Sequence, residues 1–85
     1  MRRVLKFYAD WCQPCKALSK TLEEVQTDVV IENIDIDKED NEWIVRHYNI
    51  RGVPTMIMLD ENVEVKRKTG SLPKAELEKW IGTNG

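Results

Sequence analysis

The chain has 85 residues, a length typical of one domain, and 41% hydrophobic and 33% charged residues, as in ordinary folded proteins. The longest uncharged apolar run, residues 55–59, is far shorter than the roughly 20 residues of a membrane-spanning helix, so we expect no membrane partner. The net charge of −2 disfavours nucleic acid as a partner, because no basic face is dense enough for phosphate contacts. We expect a single domain over residues 1–85.

The amino terminus has too few apolar residues before Lys6 to form a secretion signal, so we expect a cytoplasmic protein. The chain has two cysteines, Cys12 and Cys15, separated by two residues. A bridge between them would close a loop too small to gain much by cross-linking. We therefore interpret the pair as reactive rather than structural.

The first half of the chain alternates strands with a helix. Residues 4–8 are β-branched and aromatic, which predicts a strand. A helix should follow, because Pro14 suits a first turn and an apolar stripe recurs at steps of three and four, formed by Cys15, Leu18, Leu22 and Val25. Residues 29–36 predict a second strand whose β-branched start suits a covered, parallel position.

The acidic residues 37–40 suit a helix start, and Asn49 suits the left-handed residue that ends a helix. The predicted inward residues of this second helix are Trp43, Ile44, His47 and Tyr48. His47, the only histidine, is otherwise interpreted as a residue near the surface, since a cysteine-protease arrangement is unsupported.

Two strands and a helix complete the chain. A strand over residues 55–59 should turn back at residues 60–62, where Asn62 tolerates a positive φ. The returning strand, residues 63–68, should turn Val63 and Val65 inward, and its basic residues 66–68 suit a solvated edge. The last helix should start at Pro73, bury Leu77, Trp80 and Ile81, and end at Gly82.

The resulting order, β-α-β-α-β-β-α, predicts an α/β fold. The opening strand–helix–strand unit implies a right-handed crossover between two parallel strands, and the hairpin adds two antiparallel strands. We therefore expect a four-stranded mixed sheet with helices on both faces.

Both cysteines fall where the first strand ends and the first helix begins. The unpaired N–H groups of a helix start favour negative charge, so the pKa of Cys12 should be low enough to give a nucleophilic thiolate. Cys15 lies one turn inside, within bridging reach. Cys12 would attack a partner disulfide, and Cys15 would then attack Cys12 and release the reduced partner.

Three segments of the chain carry a family resemblance. Residues 9–16, ADWCQPCK, resemble the active-site segment of thioredoxins; residues 50–55, IRGVPT, resemble the family's second segment, and residues 68–70, KTG, resemble its third. The resemblance implies a thioredoxin-like fold and a protein disulfide reductase. The chain resembles the shortened members found in phages and archaea, which lack an N-terminal strand and helix.

The resemblance also implies the substrate groove. Beside Cys12 it places Trp11, Val53, Pro54 and Gly70, together with Gln13 and Pro14 between the cysteines. It implies a cis peptide before Pro54, which would let Val53 pair with an extended client peptide. Gln13 stands where glycine is commonest in the family and should retune the redox potential in a direction the sequence does not give.

Lys6 departs from the family pattern, in which a buried aspartate six residues before the first cysteine helps to move a proton off the second. We count Lys6 among the candidate catalytic residues and keep three interpretations. It pairs with Glu32 or Asp35 and only fills the site; it lowers the pKa of the cysteines as a cation; or burial neutralises it, and its amine takes the proton of Cys15.

The expected partners are disulfide-containing client proteins and a thioredoxin reductase as electron donor, with no cofactor and a monomeric state. One alternative is a glutaredoxin-like reductase that uses glutathione, which Trp11 and the Gln13-Pro14 pair disfavour. Another is a binding subunit whose thiols are dispensable. Zinc binding is disfavoured, because the cysteines supply two ligands where structural zinc takes four.

Overall fold

A computed structural model describes residues 1–82 of the chain. The elements are β1 (Arg2–Tyr8), α1 (Gln13–Glu23), β2 (Val30–Asp35), a single 3₁₀ turn (Glu39–Asn41), α2 (Glu42–His47), β3 (Thr55–Asp60), β4 (Val63–Thr69) and α3 (Lys74–Gly82). The element order predicted from the sequence is confirmed, with the second helix shorter than expected and preceded by the 3₁₀ turn.

The four strands form one mixed sheet in the order β2-β1-β3-β4. β1 pairs parallel with β2 and antiparallel with β3, and β4 returns antiparallel along β3. This is the α/β thioredoxin fold that the element order and the resemblance predict. The central strands β1 and β3 are largely buried, whereas β4 is an edge strand with mostly exposed residues.

Two apolar clusters lie on opposite faces of the sheet. One joins Val4, Met56 and Met58 of the sheet to α1 and α3 through Leu18, Leu77 and Ile81. The other is formed by Leu5, Phe7, Ile34, Ile57 and Leu59, against which Ile44, Val45 and Tyr48 pack. Successive residues of β1 and β3 alternate between the clusters, so the same two strands support both faces.

The predicted inward positions of α2 are wrong for Trp43, which is 67% exposed, and for His47, which is exposed. The helix has only six residues, and its partly buried stripe is formed by Ile44, Val45 and Tyr48. Trp43 and His47 are four residues apart and share the other side of the helix.

The predicted inward residues of β4 are also wrong, since Val63 is 63% and Val65 42% exposed. The register between β3 and β4 shifts after Met58, so that Val65 is the extra residue of a bulge without a paired position. The predictions for Asn49 and Asn62 are confirmed, with φ values of 54° and 69°. Trp80 is partly buried against the first cluster. No helix within residues 1–82 is long and apolar enough to span a bilayer.

Candidate active site

The two cysteines lie at the junction between β1 and α1. Cys12 is the N-cap residue of α1, with extended backbone angles, and its N–H donates to the carbonyl of Ala9 at 3.1 Å. Cys15 lies in the first turn, and the two sulfurs form a disulfide with a Cα–Cα distance of 5.3 Å. The junction therefore holds the pair in bridging geometry, as the spacing predicts.

A backbone donor points at the first sulfur of the pair. The Cys15 N–H donates to Cys12 Sγ over 3.2 Å, so the sulfur occupies the capping position that a serine or aspartate oxygen takes in other helices. Hydrogen bonds to a charged group favour its charged form. The arrangement can stabilise a thiolate on Cys12 once the disulfide is reduced.

The disulfide is covered by a small apolar cluster. Ala9, Cys12 and Cys15 are each at most 4% exposed, and Val53 packs against them from the loop before β3. The Val53–Pro54 peptide is cis, as the resemblance implies, and Pro54 is fully buried. Thus Val53, one of the residues predicted for the groove, packs against the cysteine cluster.

Gly70 closes the loop beside Pro54. Its N–H donates to the Pro54 carbonyl over 2.8 Å, and its φ of +97° is one that residues with a side chain rarely adopt. A Cβ at Gly70 would meet nothing within 4 Å, so the backbone angle rather than crowding favours glycine.

Trp11, Gln13 and Pro14 are exposed around the cysteines, with Trp11 66% exposed. The Trp11 indole is held in place, because its Nε1 donates to Asp37 Oδ2 over 2.8 Å. This role of Asp37 was not predicted from the sequence, in which Asp37 belongs to an acidic stretch that suits a helix start. In the structure Asp37 lies in the loop after β2, beside the site rather than in a helix.

Lys6 is 5% exposed in β1, and the first of its three interpretations, an ion pair with Glu32 or Asp35, is wrong. Glu32 is bound by Arg3 over 2.7 Å, on the other face of the sheet from Lys6. The Asp35 carboxylate accepts a hydrogen bond from the Asp37 N–H. Within residues 1–82 the Lys6 amine instead donates to the Ser19 hydroxyl of α1. Burial lowers the pKa of Lys6 below its ordinary value of 10.5.

The remaining candidates do not gather at the cysteines. His47 lies on the exposed side of α2. In the part of the chain that the structure describes, no group of three or more histidine, cysteine, aspartate or glutamate side chains could hold a metal ion.

Comparisons with known proteins agree with this site. The family model described as Thioredoxin matches residues 1–83. The thioredoxin of Rhodospirillum rubrum is 34% identical over 79 residues, which cover 88% of this chain and 74% of that protein. The thioredoxin of Mycoplasmoides gallisepticum is 35% identical over 81 residues, covering 92% of this chain and 79% of that protein.

A solved structure gives the same result in three dimensions. A mutant thioredoxin from Halobacterium salinarum superposes with a TM-score of 0.84 at 33% identity, covering 94% of this chain and 71% of that one.

Proposed function

Since this chain belongs to the thioredoxin family and is a protein disulfide oxidoreductase, we propose that it works as a disulfide reductase in which Cys12 attacks and Cys15 resolves. The observation that carries the proposal is the hydrogen bond from the Cys15 N–H to Cys12 Sγ at the start of α1. This hydrogen bond distinguishes the two sulfurs, because Cys12 Sγ accepts it and the donor is the backbone N–H of Cys15.

The reaction has two sulfur displacements. The Cys12 thiolate attacks one sulfur of a client disulfide, the client S–S bond breaks, and the departing sulfur takes the electron pair and a proton. The Cys15 thiol then loses its proton and attacks Cys12 Sγ, which releases the second client sulfur. The client gains two electrons and two protons, and the enzyme is left with the Cys12–Cys15 disulfide described above.

The client would bind in a groove around the disulfide. Trp11, Gln13 and Pro14 offer exposed surface on one side, and the loop with Val53 and Pro54 lies on the other. In this proposal an extended client segment pairs with the Val53 backbone, as a strand added to an edge. Gly70, whose N–H already binds Pro54, leaves room for the client backbone.

The electron donor in this proposal is a thioredoxin reductase, and the clients are disulfide-containing proteins. We place the protein in the cytoplasm, where reducing conditions keep such a dithiol supplied with electrons. The chain would act as a single-domain monomer without a cofactor, since the two cysteines hold both electrons between them.

The experiment is reduction of insulin under three electron supplies: dithiothreitol, a thioredoxin reductase with NADPH, and glutathione. We expect turnover with the first two and little with glutathione alone. Cys15→Ser should accumulate a mixed disulfide between Cys12 and insulin, and Cys12→Ser should form none. Val63→Ala, at an exposed edge position, is the control and should match the unchanged protein.

Two outcomes would contradict the proposal. Intact insulin in the presence of excess dithiothreitol would exclude a disulfide reductase. Rapid turnover with glutathione and none with the reductase would favour a glutaredoxin-like enzyme instead.

A further inference from the structure

A buried lysine under α1 lacks a counter-charge among residues 1–82. Lys6 is 5% exposed on the sheet face that α1 covers, two residues after the fully buried Val4. Its ammonium has three donors, and in the described part of the chain the hydrogen bond to the Ser19 hydroxyl uses one of them. A buried charge is costly unless an opposite charge or further acceptors compensate it. Lys6 therefore has two donors left for a group that residues 1–82 do not supply.

The Lys6 amine borders an open cleft of about 420 Å³ between α1 and the edge of the sheet. Lys6 lies on the β1 side of this cleft, Ser19 on the α1 side and Asn33 on the β2 side. β2 is the outermost strand at this edge of the sheet, so no further strand among the described residues closes the cleft. The cleft thus gives solutes a route to a charge that is otherwise buried.

Hydrogen-bond donors surround the polar end of this cleft. The Ser19 oxygen accepts from Lys6, which leaves its own O–H to donate. Asn33 pairs with Lys6 in the register of β1 and β2, so its exposed amide lies on the same face of the sheet. The Tyr8 ring lies 5.8 Å from the Lys6 amine and carries a phenolic hydroxyl. One cation with neutral donors around it suits a carboxylate, whose charge is opposite and whose two oxygens both accept.

The other end of the cleft is apolar. Leu22 lies three residues after Ser19 on α1, and Ile31 lies two residues before Asn33 on β2. Both apolar side chains are partly buried against the first apolar cluster. These steps correspond to roughly 5 Å along a helix and roughly 7 Å along a strand. A ligand with its carboxylate on Lys6 would therefore extend an aliphatic chain of about four carbons between Leu22 and Ile31.

We propose that this cleft binds a small monocarboxylate, with the carboxylate on the Lys6 ammonium and the aliphatic chain between Leu22 and Ile31. The site is separate from the proposed disulfide exchange, because neither cysteine lines the cleft. Glu23 lies exposed at the rim and carries the one carboxylate of the described lining. It would repel a second negative charge on the ligand, so the site should prefer monocarboxylates to dicarboxylates.

The test is a titration of the oxidised, ¹⁵N-labelled chain with sodium butyrate, followed by two-dimensional amide NMR, with sodium chloride at equal ionic strength as the reference. We expect saturable shifts at the backbone amides of Ser19, Ile31 and Asn33, with a dissociation constant in the millimolar range of a small ligand with few contacts. Butyramide, which has the same shape without the charge, should cause no saturable shift over the same range. Succinate should bind more weakly than butyrate because of Glu23.

Two variants remove the recognition of charge in different ways. Lys6→Met removes the ammonium, and Asn33→Asp places a carboxylate of the chain itself beside it, at an exposed position that should leave the fold intact. Each should raise the dissociation constant for butyrate by at least about 10-fold, the effect of one lost hydrogen bond to a charged group. Glu23→Gln should lower the dissociation constant for succinate. Lys74→Met makes the same substitution at an exposed lysine at the start of α3 and is the control, with unchanged binding.

The amide spectrum also shows whether each variant is folded, and Asn33→Asp tests the site even if Lys6→Met does not fold. Equal binding of butyrate and butyramide would overturn the inference, since the cleft would then be only an apolar groove. Butyrate binding that is unchanged in a folded variant of Lys6 or Asn33 would overturn it as well. A blocked glutamate, N-acetylglutamate α-methylamide, that binds far more tightly than butyrate would also contradict it, because the site would then recognise an acidic side chain of a partner protein.

Discussion

At the scale of single residues, the buried Lys6 should reduce the stability of the fold. Its folded pKa lies below the ordinary value of 10.5 because burial disfavours the ammonium. Between the two pKa values the unfolded chain binds more protons than the folded one, so the free energy of unfolding should rise with pH through that window. Below this pH window, the full cost of burying the Lys6 ammonium is present.

Replacing Lys6 by methionine should therefore stabilise the protein at neutral pH. We expect a gain on the order of 1 kcal/mol, discounted because the open cleft partly screens the charge, and a smaller gain above the pKa of a free lysine. Urea unfolding of the two proteins at pH 7 and near pH 11 measures both values. A stability difference that does not shrink at the higher pH would contradict the assignment of the cost to the ammonium.

At the scale of elements, α1 connects the site to the core. Cys12 caps it, Cys15 lies in its first turn, and Leu18, which is fully buried, anchors the same helix against the sheet and α3. The position of the cysteines thus depends on packing one turn below them.

Leu18→Ala should lower the free energy of unfolding by about 2–5 kcal/mol, since it leaves a cavity between α1, β1 and α3. Val63→Ala removes an apolar side chain that is already 63% exposed and should change stability by less than about 0.5 kcal/mol. Guanidinium unfolding of the oxidised proteins measures both. Equal losses in the two variants would mean that burial of Leu18 does not anchor α1.

The sequence predicted these elements where its signals were local. The stripe from Cys15 to Leu22 identified α1, and Asn49 and Asn62 marked turns by their tolerance of positive φ. Predictions of which side chains are buried or paired were wrong where the outcome depended on strand pairing with distant parts of the chain. A bulge against β3 exposes Val65, and strand alternation turns Glu32 away from Lys6.

The candidate site shows the same division. The cysteines and Pro54 could be predicted, because their chemistry is in the residue types and the resemblance. Ser19 and Asp37 could not, because each gains its role from a contact more than ten residues away along the chain. For the contact between Ser19 and Lys6, the sequence offers one local indication, the position of Ser19 one helical turn after Cys15.

At the scale of the whole molecule, the two apolar clusters share their strands. β1 supplies Val4 to one cluster and Leu5 and Phe7 to the other, and β3 alternates in the same way through Met56 and Ile57. The Cα radius of gyration is 12.1 Å. That value agrees with the roughly 12 Å expected for a compact domain of this length. Because both clusters pack on the same strands, unpacking one cluster from the sheet should also disrupt the other.

We therefore expect the chain to unfold in one cooperative transition, as small single domains do. Far-ultraviolet circular dichroism reports the sheet and helices together. In Trp11→Phe/Trp43→Phe, fluorescence reports Trp80 at the cluster that joins α1 and α3 to the sheet. The two signals should give the same guanidinium midpoint. A lower guanidinium midpoint for Trp80 fluorescence would mean that α3 detaches while the sheet persists. The strands shared by the two clusters would then not couple the helices to the rest of the fold.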